Sequence, residues 1–178
     1  MADPVEVLVV CTGNAARSVM AGFMLEQRAL DAGVAVRLTT AGTHAIEGLP
    51  VSWRTSEAVA QVEALRGAAG LRGHRSQQVD AEHLDRADVV IGMEADHVRW
   101  VRRFRPQVAG ATATLKRLCR DLQPGPEPLD DRLRALRLAE VELEGWEDVD
   151  DPAGRDLDVY VARAHEIWEL SGDLVSRL

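Results

Sequence analysis

Val5-Glu6-Val7-Leu8-Val9-Val10, running directly into Cys11-Thr12-Gly13-Asn14-Ala15-Ala16-Arg17-Ser18, is the stretch on which the fold turns. β-Branched residues dominate the first six positions, and only Glu6 interrupts their apolar character. That is the pattern of a strand buried on both faces, as in the middle of a parallel sheet. The strand stops at small and turn-forming residues. A helix-spaced set follows, with Val19, Met20, Phe23, Met24, Ala29 and Leu30, and Gly33 closes it. The small-residue loop therefore sits at the carboxyl end of a strand, where open α/β sheets bind their ligands.

Working outward, the pattern repeats. Val34 to Thr40 reads as a second strand, closed by Ala41-Gly42-Thr43-His44. Ser52 is suited to cap a helix running to about Arg66, and a glycine-rich stretch from Gly67 to Gly73 links onward. Ala87 to Gly92 reads as a third strand and Glu94 to Phe104 as a helix ended by Pro106. Gly110 to Thr114 is a weak fourth strand before a helix from Leu115 to about Leu122. Gln123 to Pro128 is too rich in proline for helix or central strand. Asp130 to Leu143 suits an extra helix, Gly145 to Gly154 an acidic loop, and Leu157 to Leu178 a long amphipathic helix. Alternating strands and helices at this spacing predict an α/β fold on a parallel sheet.

The chain has 178 residues, 46% of them hydrophobic and 28% charged, which suits one domain spanning 1–178 with a sizeable core. Its formal net charge of −8 argues against nucleic acid as a partner, because that binding rests on basic neutralisation of phosphates. If the ligand is an anion, the site must create its own positive field. Two cysteines are too few for a disulfide framework, and no Cys or His pairing has metal-ligand spacing. There is no transmembrane run, and Asp3 and Glu6 stand where a signal peptide would carry positive charge. The expectation is a cytoplasmic protein with reduced thiols, without membrane partner, metal or cofactor.

The loop from Cys11 to Ser18 has the parts of an oxyanion cradle. Gly13, Ala15 and Ala16 leave the backbone open to wrap an anion with successive N–H groups, and the helix start adds its positive end. In such a place Cys11 is stabilised as the attacking thiolate. Arg17 can hold two phosphoryl oxygens at once, which a lysine could not do with that geometry. Ser18 can donate its hydroxyl to the sulfur and later stabilise it as leaving group. Asn14 can brace the loop from inside, and Thr12 completes the cradle. Ester cleavage also needs a proton donor, and none of the five histidines lies in a loop with an obvious claim on the site. Asp151-Pro152 is better placed, because proline stiffens the residue before it; Asp148 and Asp150 are rivals.

These residues resemble the active-site loop of the low-molecular-weight protein tyrosine phosphatases, which also opens just after the first strand. The resemblance continues through Thr40-Ala41-Gly42-Thr43, His74 in Gly73-His74-Arg75-Ser76, Ala87 to Met93, and Asp151-Pro152. It implies a three-layer α/β/α fold around a four-stranded parallel sheet. It also implies metal-free hydrolysis of phosphate monoesters through a phosphocysteine on Cys11, with Asp151 as general acid and then base. Thr40 and His74 match positions that brace the phosphate loop; a buried, satisfied histidine is the structural alternative.

Three departures bear on substrate. The second loop cysteine of most members is Ala16 here, so its protective disulfide is absent. The aromatic walls of the tyrosine-specific members fall at Ile46 or its neighbours and at Ala153 and Gly154, with Trp53 and Trp146 as nearby candidates to replace them. Thr12 resembles the members that hydrolyse phosphoarginine. The segment at about 123–147 also reads as an insertion, either a substrate lid or plain surface. The expected substrate is phosphotyrosine in protein, with phosphoarginine protein or a small phosphorylated metabolite as alternatives. Arsenate reduction with an external thiol and a non-catalytic phosphate-binding module come behind.

Overall fold

The computed structural model describes residues 3–66 and 70–178. Four parallel strands, β1 (Val5–Cys11), β2 (Val36–Gly42), β3 (Val89–Gly92) and β4 (Thr112–Thr114), form one sheet in the order β2-β1-β3-β4. β1 lies centrally, with Val7 opposite both Leu38 and Val89, as its unbroken apolar character requires.

Side-chain alternation along β1 divides the core in two. Val7, Val9 and Cys11 face one layer, which holds α1 (Arg17–Ala32), α2 (Trp53–Ala60), α5 (Leu115–Asp121), α6 (Leu129–Ala135) and α7 (Leu157–Val175). Leu8 and Val10 face the other, where Leu84 of α3 (Ala81–Arg86) and Val101 of α4 (Ala95–Phe104) close the opposite side. The result is the expected three-layer α/β/α arrangement. α1 ends where Gly33 takes the left-handed conformation, φ 69°. No helix among the described residues is long and apolar enough to cross a membrane.

Several boundaries differ from the sequence reading. β2 starts two residues later than Val34 and runs on to Gly42, because its pairing with β1 extends to Cys11↔Gly42. The helix capped by Ser52 stops at Ala60, and a single 3₁₀ turn, Glu63–Leu65, follows. Gly67, Ala68 and Ala69 of the expected glycine-rich link lie outside the described residues. α3 was not foreseen: six residues are too few to display a helical period, and Asp80 starts it by accepting from the His83 amide at 2.8 Å. Residues Pro106–Ala111 form a 3₁₀ turn, which leaves only three residues for β4. The helix expected over Asp130 to Leu143 ends at Ala135, and Arg137 takes a positive φ of 51° just beyond it.

The 123–147 segment packs down: Leu133 and Leu138 are buried in the core. The expected acidic loop after it is anchored too, because Glu147 is fully buried. Cys119 on α5 lies in the core, its thiol pointing at the Leu170 carbonyl oxygen of α7. Burial, with the nearby Asp173, pushes that thiol up to about 12.

Candidate active site

The turn after β1 is shaped by what packs beneath it. Asn14 is buried at φ 50°, a left-handed conformation that asparagine tolerates and that turns the backbone back on itself. Gly42 makes the close approach possible: a Cβ there would lie 2.5 Å from the Thr12 carbonyl oxygen and 3.0 Å from the Asn14 nitrogen. The Thr43 and His44 amides donate to the Cys11 and Thr12 carbonyls, each at 2.9 Å, and tie the segment after β2 to the loop. Helix α1 begins at Arg17 with no side-chain cap, so its first-turn N–H groups remain available to an anion.

The hydrogen bonds around Cys11 fix their own directions. The Gln77 amide can only donate, and it reaches Asn14 Oδ1 at 3.0 Å. Asn14 Nδ2 therefore donates to Ser18 Oγ at 3.0 Å and to Thr40 Oγ1 at 2.9 Å. With its oxygen occupied from that side, the Ser18 hydroxyl is left to donate to Cys11 Sγ, 2.9 Å away. His74 Nε2 lies 2.8 Å from the Asn14 carbonyl oxygen, and Thr55 donates to the Ala15 carbonyl at 3.0 Å. Thr40 and His74 thus both touch the loop. Gln77 and Thr55, absent from the sequence reading, touch it as well; nothing in their local sequence marks them.

Arg17 is buried at 2% exposure, and its guanidinium is held from three directions. Nη1 meets Glu94 Oε2 at 2.7 Å and the Val149 carbonyl at 3.0 Å, and Nη2 meets Asp151 Oδ2 at 3.0 Å. The three neighbouring carboxylates separate cleanly. Asp148 accepts from the Ala95 amide at the start of α4, at 2.7 Å, and Asp150 faces Arg163 at 3.5 Å. Only Asp151 faces Arg17, with its other oxygen held by the Ala153 amide at 3.1 Å.

Glu94 and His97 were also missed. His97 Nε2 is 3.0 Å from Thr12 Oγ1 and 3.3 Å from Glu94 Oε1, while its Nδ1 is 3.2 Å from the Glu94 amide. Burial, reinforced by Arg17 and opposed by Asp151 and Asp96, lowers His97 to about 3. It is therefore a neutral hydrogen-bonding ring at ordinary pH, and its contact with Glu94 is not an ion pair. The one local signal for it is the Glu94-x-x-His97 capping pattern at the start of α4.

Of the two tryptophans considered as substrate walls, Trp146 lies on the surface with Arg120 at 3.9 Å from its ring centre. Trp53 is 61% exposed at the start of α2, the helix whose Thr55 reaches the loop. Ile46 is also exposed, on the segment that leaves the Thr43 and His44 ties.

Residues 6–128 match the family described as low molecular weight phosphotyrosine protein phosphatase. The chain is 35% identical over 136 residues to low molecular weight protein-tyrosine phosphatase A of Mycobacterium tuberculosis, covering 73% of this chain and 76% of that one. It is 34% identical over 143 residues to a protein-arginine-phosphatase of Geobacillus stearothermophilus, covering 79% and 90%. Its structure superposes on a low molecular weight protein tyrosine phosphatase from T. tengcongensis with a TM-score of 0.77 at 29% identity, over 98% of this chain and 99% of that one. The chain therefore belongs to the low molecular weight phosphotyrosine protein phosphatase family and is an enzyme that hydrolyses phosphate monoesters.

Proposed function

We propose that the enzyme acts on phosphotyrosine in proteins, with Cys11, Arg17 and Asp151 as its catalytic residues. The phosphotyrosine reading rests on the family match, and the choice of residues on one observation: the loop that starts at Cys11, whose Sγ is 2.9 Å from Ser18 Oγ, holds a buried Arg17 that faces Asp151 at 3.0 Å.

Cys11 thiolate attacks phosphorus as the phosphorus–oxygen bond to the leaving group breaks, and Asp151 gives that oxygen its proton. Water then attacks the phosphocysteine. Asp151, now a carboxylate, takes the water's proton, and the sulfur–phosphorus bond breaks. Ser18 stabilises the departing thiolate. Arg17 and the amides of Thr12, Gly13, Asn14, Ala15, Ala16 and Ser18 hold the equatorial oxygens throughout. Thr40 and His74 keep the loop in shape for this.

Ile46 and Trp53, both exposed, are the candidates for an apolar rim that would meet an aromatic leaving group. Phosphoarginine protein is the second reading. It is favoured by the 34% identical protein-arginine-phosphatase and by Ala153 and Gly154, which put no aromatic wall after Asp151. The deciding measurement is kcat/KM on phosphotyrosine, phosphoserine and phosphoarginine peptides, with arsenate reduction as control. Phosphotyrosine should lead by at least about tenfold, which is about 1.4 kcal/mol of transition-state binding. A lead for phosphoarginine would replace the first reading with the second.

A further inference from the structure

His97 is a buried histidine that the two chemical steps do not use, yet it touches the phosphate loop. Its ring is read without ambiguity. The Glu94 amide can only donate, so Nδ1 accepts and the ring hydrogen lies on Nε2. That hydrogen points at Thr12 Oγ1, 3.0 Å away, while Glu94 Oε1 lies 3.3 Å from the same nitrogen. Thr12 Oγ1 is therefore an acceptor on its buried side. Thr12 itself is exposed, whereas His97 is 3% exposed. The hydroxyl hydrogen of Thr12 is thus left for the open side of the loop.

We propose that His97 is a positioning residue for the reaction: it holds the Thr12 oxygen from beneath, so that Thr12 presents its hydroxyl hydrogen to the bound substrate at the mouth of the loop. This rests on the reading of Cys11 to Ser18 as the phosphoryl site. The arrangement works only with a neutral ring, because a hydrogen on Nδ1 would confront the Glu94 amide. Burial and Arg17 keep it neutral, against Asp151 and Asp96 and with His44 also facing it.

His97→Asn provides the test. Its amide oxygen replaces Nδ1 and preserves the cap on Glu94, but nothing reaches Thr12. The expected result is a fall of about tenfold in kcat/KM on a phosphotyrosyl peptide, mostly through KM, as for one lost hydrogen bond to a charged group. Thr12→Val should match it, and the double variant should lose no more than either alone. His97→Gln, whose amide nitrogen reaches the Nε2 position, should recover most of the loss. Additive losses would overturn the proposal. So would a change below twofold in His97→Asn, or a loss confined to kcat that Thr12→Val does not share. Failure of the phosphatase reading would look different: the wild type would turn over no phosphate ester.

Discussion

At the scale of single residues, the site depends on which proton lies where. The Gln77 amide orients Asn14, Asn14 orients Ser18, and Ser18 points its hydrogen at Cys11. Among the described residues Asp151 enters the network through Arg17 and the Ala153 amide, so removing it should leave the cradle standing. Asp151→Ala is expected to slow hydrolysis of alkyl and phenyl phosphates by about 10²–10³, and of nitrophenyl phosphate far less, because a good leaving group needs little protonation. Equal losses across that series would remove Asp151 from the acid role; the same pattern from Asp150→Ala would move the role there. Cys11, Arg17 and Asp151, the residues proposed for the chemistry, stand out in the sequence because two lie in one short loop and the third precedes a proline. Glu94 caps α4 and His97 lies in its first turn, far along the chain from the loop, and they reach it because β3 pairs beside β1. Nothing in their own neighbourhood beyond a helix cap announces that meeting.

At the scale of elements, the strap that carries Asp151 is the least expected construction. Glu147 is fully buried against Arg117, and Thr114 donates to it at 2.9 Å. Burial alone would push its carboxyl up, but hydrogen bonds from Arg117, the Glu144 amide and Thr114 outweigh that and hold it below the usual range. Next along, Lys116 donates to the Asp148 carbonyl, and the Val149 amide donates to Met93 at 2.8 Å. The chain from 147 to 149 is thus fastened to the ends of β3 and β4 before it delivers Asp151. We propose that the 123–147 segment is a strut for this strap rather than a lid. Glu147→Gln removes the fully buried carboxylate from Arg117, which keeps Asp121 at 3.3 Å and Glu144 at 3.7 Å, and should destabilise the fold by about 2 kcal/mol in urea titration. A cost under about 1 kcal/mol would contradict the anchoring role. The central strand was easier to foresee than this, because Val7 to Val10 are apolar and buried without a break. In the strap, Glu147 and Val149 are buried among acidic neighbours, where composition reads as solvated surface.

At the scale of the whole molecule, the two cysteines are free and stand on different elements. Cys11 ends a central strand at the mouth of the sheet, and Cys119 faces α7 with its thiol strongly protonated. A thiol in that state is a poor partner for any oxidised sulfur. Ala16 stands where a neighbouring thiol would otherwise wait. Peroxide followed by dithiothreitol should therefore restore little activity to the wild type and clearly more to Ala16→Cys. Full wild-type recovery, with a Cys11–Cys119 bridge found by mass spectrometry, would refute this. An enzyme with a resolving thiol pauses under oxidative stress and resumes. Here the sulfenic acid has no internal capture, and the next oxidation steps are one-way. Such a protein behaves as a fuse rather than a switch, and its activity after an oxidative burst returns at the pace of new synthesis.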